Sequence, residues 1–131
     1  MNILVAEDDF TSRVLLQKLL APYGEVHVAA NGREALDAYE IANQVGEPYG
    51  LICLDIMMPE MDGQDLLRSI RRLESDRGIP PGGGVKVLMT TALTDSNNII
   101  RAFHEQCDGY LVKPIVRARL EEELRKFGLA A

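Results

Sequence analysis

No CxxC pair occurs in this sequence of 131 residues, and its two cysteines stand far apart, Cys53 inside an apolar run and Cys107 near the end of an expected helix. That argues against a disulfide and favours two reduced thiols in a cytoplasmic protein. No apolar stretch approaches the length of a membrane span. The start, Met1-Asn2-Ile3-Leu4-Val5-Ala6-Glu7-Asp8, lacks the basic region and long apolar core of a signal peptide. Positive charge is in deficit, with 14 Lys and Arg against 20 Asp and Glu, net -6. Direct binding to nucleic acid or an anionic membrane would need a strong local basic patch, and neither partner is expected. GxGxxG is missing too, which excludes a dinucleotide-binding turn. No internal repeat is visible. What remains is one domain, long enough to bury roughly two-thirds of its unfolded surface.

Apolar runs and amphipathic segments alternate along the chain. Strands are expected at 3–6, 26–30, 51–54, 85–89 and 109–112. A helix at 12–20 carries Val14, Leu15, Lys18 and Leu19 as its inward stripe. Another starts at Asn31-Gly32, with Glu34 three residues on as in a capping box, and stops near Gly46 and Pro48. A third covers 63–73, capped by Asp62, and a fourth runs from about 95 to 106. The last shows Val116, Leu120, Leu124 and Phe127 at helical spacing. Residues 74–84, containing Pro80-Pro81-Gly82-Gly83-Gly84, are expected to form a flexible loop within the domain. This alternation implies an α/β fold, a parallel sheet covered on both faces.

The chemistry gathers at strand ends. The run Leu51-Ile52-Cys53-Leu54 closes on Asp55, and Ile3-Leu4-Val5-Ala6 closes on Glu7-Asp8-Asp9. A carboxylate at the end of a buried strand is costly to keep unless the fold uses it. If the two strands are neighbours, three or four carboxylates converge, and their repulsion implies a bound cation, magnesium by its preference for hard oxygen ligands. Thr90-Thr91 and Lys113 end or follow two other strands. In an open parallel sheet the working crevice lies outside these carboxyl ends. A carboxylate nucleophile, a cation, an ammonium and a hydroxyl on one edge suit phosphoryl transfer.

Four pieces in order, Ile3-Leu4-Val5-Ala6-Glu7-Asp8, Leu54-Asp55-Ile56-Met57-Met58-Pro59-Glu60-Met61-Asp62-Gly63, Met89-Thr90-Thr91-Ala92 and Gly109-Tyr110-Leu111-Val112-Lys113-Pro114, resemble the receiver domain of two-component response regulators. The resemblance spans essentially the whole chain. It implies a flavodoxin-like (βα)5 sandwich whose five-stranded parallel sheet runs in the order 2-1-3-4-5, with residues 1–131 forming a single receiver. Only Gly128-Leu129-Ala130-Ala131 follow the last helix, so no output domain is expected on this chain, which would work alone or as a fragment of a larger regulator or hybrid kinase. The resemblance also implies that Asp55 takes a phosphoryl group from a histidine kinase or histidine phosphotransfer protein, in a Mg²⁺-dependent reaction. Asp8 would hold the metal directly, Glu7 through water, and Met57 through its backbone carbonyl. Thr91 matches the switch hydroxyl, Lys113 the partner of the phosphoryl oxygens, Pro114 a cis-proline and Tyr110 an aromatic that turns inward. Helix 95–106, the strand at Tyr110 and the final helix with Arg117 and Arg119 would then dock a target protein or form a homodimer. The chain would be no enzyme beyond gaining and losing its own phosphoryl group. Glu7 departs from the pattern, standing where many receivers have aspartate, and the loop before the fourth strand looks long.

Plainer roles fit the other residues. Asp9 suits the cap of the first helix, while His27 and His104 lack metal-spaced partners. Arg68, Arg71, Arg72 and Arg77 read as a solvated helix face, and Met57, Met58, Met61 and Met89 as packing residues. A flavodoxin would have flavin phosphate repelled by Glu7-Asp8-Asp9. A haloacid-dehalogenase-type phosphatase needs a second aspartate where this chain has Met57. A receiver-like interaction module that works without phosphorylation is the alternative that shares the fold; the intact set Glu7, Asp8, Asp55, Thr91 and Lys113 argues against it.

Overall fold

Strand β1 (Asn2–Ala6) lies inside the sheet, next to one edge, in the computed structural model, which describes residues 1–92 and 106–130. It pairs in parallel with β2 (Glu25–Ala29) on one side and β3 (Leu51–Asp55) on the other; β4 (Lys86–Thr91) and β5 (Gly109–Val112) follow, giving the order β2-β1-β3-β4-β5. Alternate side chains of each inner strand enter opposite layers. Leu4, Ala6, Ile52 and Leu54 join Leu36, Leu66, Leu67 and Ile70, from helices α2 (Gly32–Gln44) and α3 (Gly63–Asp76). Ile3, Val5, Leu51 and Cys53 join Leu16, Leu20, Leu120 and Leu124, from helices α1 (Phe10–Leu20) and α4 (Arg117–Lys126). Each fully buried leucine or isoleucine removes apolar surface worth about 1.5–3 kcal/mol. The inner strands β1, β3 and β4 are thus held between two apolar layers along nearly their whole length.

The helix starts follow local chemistry. Asp9 accepts from the Ser12 amide at 2.9 Å and starts α1 at Phe10, two residues before the expected start. Asn31 caps α2 as expected, accepting from Glu34 N at 2.9 Å, but the return bond of the expected box runs from the Asn31 side-chain amide, Nδ2 to Glu34 Oε2 at 3.0 Å, and not from its backbone N–H. Asp62 caps α3 by accepting from Asp65 N at 2.9 Å.

Several expectations need correction. The inward face of α1 is Leu16, Leu19 and Leu20, with Leu15 and Lys18 turned out, because packing on the sheet sets the helix rotation. In α4, Leu120 and Leu124 are buried but Val116 is an exposed cap position. Helix α3 continues to Asp76, three residues past the expected end. It stops where Gly78 takes φ 79° and Ile79 N returns to Glu74 O, a left-handed glycine stop. Strand β2 is an edge with much of its surface exposed rather than a doubly buried run. Met57 is 72% exposed and lies outside the core, whereas Met58 and Met89 are buried within it.

Arg71 is no member of a solvated face. It donates to Glu74 Oε1 (2.7 Å), Val85 O (2.9 Å), Gln106 O (2.8 Å) and Asp108 Oδ2 (3.1 Å). Glu74, buried, also accepts from Val85 N at 2.7 Å, so the Pro/Gly segment leaves α3 and re-enters the sheet through one ion-paired knot. His27 is satisfied by Tyr49 Oη at 2.8 Å and Glu25 Oε1 at 3.2 Å. Both cysteines are free thiols, and burial pushes that of Cys53 up to about 12. The helix expected at 95–106 and His104 lie outside the described residues, apart from Gln106 in a turn. No helix among the described residues is long and apolar enough to cross a membrane.

Candidate functional site

Register alone brings the acids together. Ala6 pairs with Leu54, so the next residues, Glu7 and Asp55, leave neighbouring strands at the same level. Asp55 pairs with Thr90, and Thr91 pairs with Val112, which puts Lys113 one step beyond the sheet on the same edge. The Lys113 amide is held there by Thr91 O at 2.7 Å, and the Lys113–Pro114 peptide is cis.

Within this edge Glu7, Asp8 and Asp55 each offer a carboxylate oxygen, all within 4.8 Å of one another. Asp8 is exposed, Asp55 buried and Glu7 has no exposed surface. Lys113 Nζ donates to Glu7 Oε1 at 2.8 Å and reaches Asp55 Oδ2 at 3.4 Å, so its shorter pairing is with Glu7. The extra methylene of glutamate supplies that reach. Asp55 Oδ1 accepts from the Met57 amide at 3.3 Å. Thr91 is buried at the end of β4, and Thr90 Oγ1 turns back to Leu54 O at 3.5 Å. Tyr110, on β5, is 41% exposed. The fourth acid, Asp9, is spent on the α1 cap, and the Ser12 amide holds its carboxyl below the usual range.

Burial, then the Asp55 charge, pushes the Glu7 carboxyl up to about 7, against the lowering effect of its hydrogen bond from Lys113. Burial alone would lower Lys113, but the Glu7 hydrogen bond and the Asp55 charge outweigh it and raise the ammonium above its ordinary value. Glu7 Oε2 is buried without a hydrogen-bond partner. An orphaned carboxylate oxygen beside two further carboxylates is a donor set that fits a hard divalent cation. One supporting residue was not legible in advance: Arg13 donates from Nη1 to Glu7 O at 3.0 Å, its guanidinium 5.6 Å from the exposed Phe10 ring. A basic residue in the first turn after the acids was the signal.

Residues 3–125 match the family model of the response regulator receiver domain. The chain belongs to that family. Among relatives of this receiver, the regulatory protein VanRB of Enterococcus faecalis is 36% identical over 134 residues, covering 98% of this chain and 54% of that protein. The hybrid signal transduction histidine kinase L of Dictyostelium discoideum is 34% identical over 128 residues, covering 97% of this chain and 7% of that one. The receiver thus spans from under a tenth to about half the length of such relatives. In three dimensions it resembles the Vibrio cholerae chemotaxis protein CheY4, with TM-score 0.77, 26% identity and coverage of 96% and 97% of the two chains. The flavodoxin-like sheet order expected from the sequence is the order observed.

Proposed function

We propose that this receiver is a phosphoacceptor switch of a two-component phosphorelay, with Asp55 as the residue that accepts the phosphoryl group. The observation that carries the reading is the meeting of Glu7, Asp8 and Asp55 within 4.8 Å, with the Lys113 ammonium at 3.4 Å from the acceptor carboxylate. A phosphohistidine on a kinase or phosphotransfer protein is the fitting donor, and kinship with a hybrid histidine kinase supports it. An Asp55 carboxylate oxygen attacks phosphorus, the P–N bond breaks, and its electron pair returns to the donor imidazole. Lys113 would neutralise the phosphoryl oxygens, moving its weight from Glu7 to Asp55. Asp8 and Asp55 would hold Mg²⁺ directly, with Glu7 and the Met57 carbonyl completing the protein side. When bound, the ion supplies charge neutralisation for the anionic phosphoryl oxygens. Water later takes the phosphoryl group from Asp55, and the protein has no other chemistry in this reading.

The Thr91 hydroxyl would answer the new oxygens, and Tyr110, now half-exposed, would turn inward. The face that changes contains Tyr110, Val112 and Val116, all substantially exposed, together with Arg117 and Arg119. It would receive a target protein or a second copy. The test is incubation with acetyl phosphate or phosphoramidate and Mg²⁺, read by intact mass. One phosphoryl group is expected on the wild type, none after chelation and none on folded Asp55→Asn. Thr91→Ala is expected to take the label while losing most of the change in hydrogen exchange at 110–112. Label on folded Asp55→Asn would overturn the assignment.

A further inference from the structure

Gly32 opens α2 directly behind its Asn31 cap, and it touches the loop that follows Asp55. A Cβ built on Gly32 would fall on the Met61 carbonyl oxygen, and would stand 2.8 Å from its carbonyl carbon and 2.9 Å from its Cβ. The need here is for space: any side chain would drive the loop off the helix. The loop is closed at its base, where Ile56 N donates to Thr90 O at 3.1 Å and Gly63 N to Ile56 O at 3.0 Å. Its tip is bent by Glu60, a non-glycine residue at φ 67°, and by Met61 N donating to Pro59 O at 2.8 Å. Between base and tip stands Met57, whose amide orients Asp55 Oδ1 and whose exposed side chain gives it no anchor in the core.

We infer that Gly32 is a positioning residue for the acceptor site: the close approach of α2 to Met61 sets where the Met57 peptide stands against Asp55. The inference rests on the phosphoacceptor reading above and extends it to a residue outside the carboxylate edge. Gly84 provides a matched control. A Cβ there would fall on the Glu74 carboxylate, at the opposite end of the sheet, so Gly84→Ala should destabilise the fold without touching the acceptor loop.

The experiment compares full-length wild type, Gly32→Ala and Gly84→Ala by amide NMR without metal, thermal melting and Mg²⁺ titration calorimetry. Both variants are expected to melt lower. Gly32→Ala alone is expected to shift the Met57 amide resonance and to weaken Mg²⁺ binding roughly tenfold, as loss of a supporting contact around a metal site does. A Met57 amide at its wild-type position in folded Gly32→Ala would overturn the inference, as would an equal shift in Gly84→Ala. Should Gly32→Ala not fold, Asn31→Ala loosens the start of α2 without adding an atom. It is expected to move the same amide, and an unmoved one would overturn the inference. A wild type that takes up no Mg²⁺ would remove the metal from the functional reading, while the metal-free Met57 amide would still decide the role of Gly32.

Discussion

Burial pushes Glu7 and Lys113 in opposite directions, yet both hold their protons more tightly in the folded state, and the pH at which each lets go sets how stability responds. The carboxyl of Glu7 titrates near 7 when folded against 4.5 when unfolded. Between those values the folded state holds the extra proton, so the Glu7 contribution is fully present below 4.5 and is lost as pH rises through about 7. Lys113 is raised as well, by Glu7 and Asp55 against its own burial, so its contribution holds below 10.5 and fails only above it. In the presence of chelator, Glu7→Gln is expected to match the wild type near pH 4.5. It should exceed the wild type above pH 7, by on the order of 3 kcal/mol. Urea denaturation across that range measures the difference; a gap that stays constant with pH would contradict it. Glutamate in place of aspartate was visible in the sequence, but its pairing with Lys113, 106 residues away, was not.

At the scale of elements, the caps were legible because each is a bond between residues three apart, as at Asp9, Asn31 and Asp62. The rotation of α1 was not: apolar side chains stand at 14, 15, 16, 19 and 20, and only the sheet chooses among them. The role of Arg71 is hidden for a similar reason, since its partners beyond α3 come from the segments entering β4 and β5. This knot yields a prediction. Arg71→Met leaves the buried Glu74 carboxylate without its cation, and is expected to cost about 3 kcal/mol. Arg68→Met, on the exposed face of the same helix, breaks a pair with Asp65 and is expected to cost less than about 1 kcal/mol. Equilibrium denaturation of the two variants separates them, and equal losses would mean that the knot contributes no more than a surface pair.

For the whole molecule, a cation held at the carboxylate edge would be coupled to folding, because the three acids meet only when β1 and β3 are paired. A ligand that binds the folded state alone stabilises it by mass action. Millimolar Mg²⁺ is therefore expected to raise the melting temperature, by more as its concentration rises. Asp8→Asn, at an exposed position, should stay folded and lose most of that rise. Scanning calorimetry reads both, and a wild-type curve indifferent to Mg²⁺ would remove the cation from the site.

Sequence by itself determined the alternation of strands and helices, the caps and the identity of the strand-end residues, because each of these depends on near neighbours along the chain. It also carried the family resemblance, since the four motifs lie in order over the full length. Tertiary structure alone decided that Lys113 sits closer to Glu7 than to Asp55, that Arg71 is tied into the sheet, and that a side chain at position 32 would meet the Met61 carbonyl. Those are distances between residues far apart in the chain. They follow from strand register and helix rotation, which no local pattern encodes.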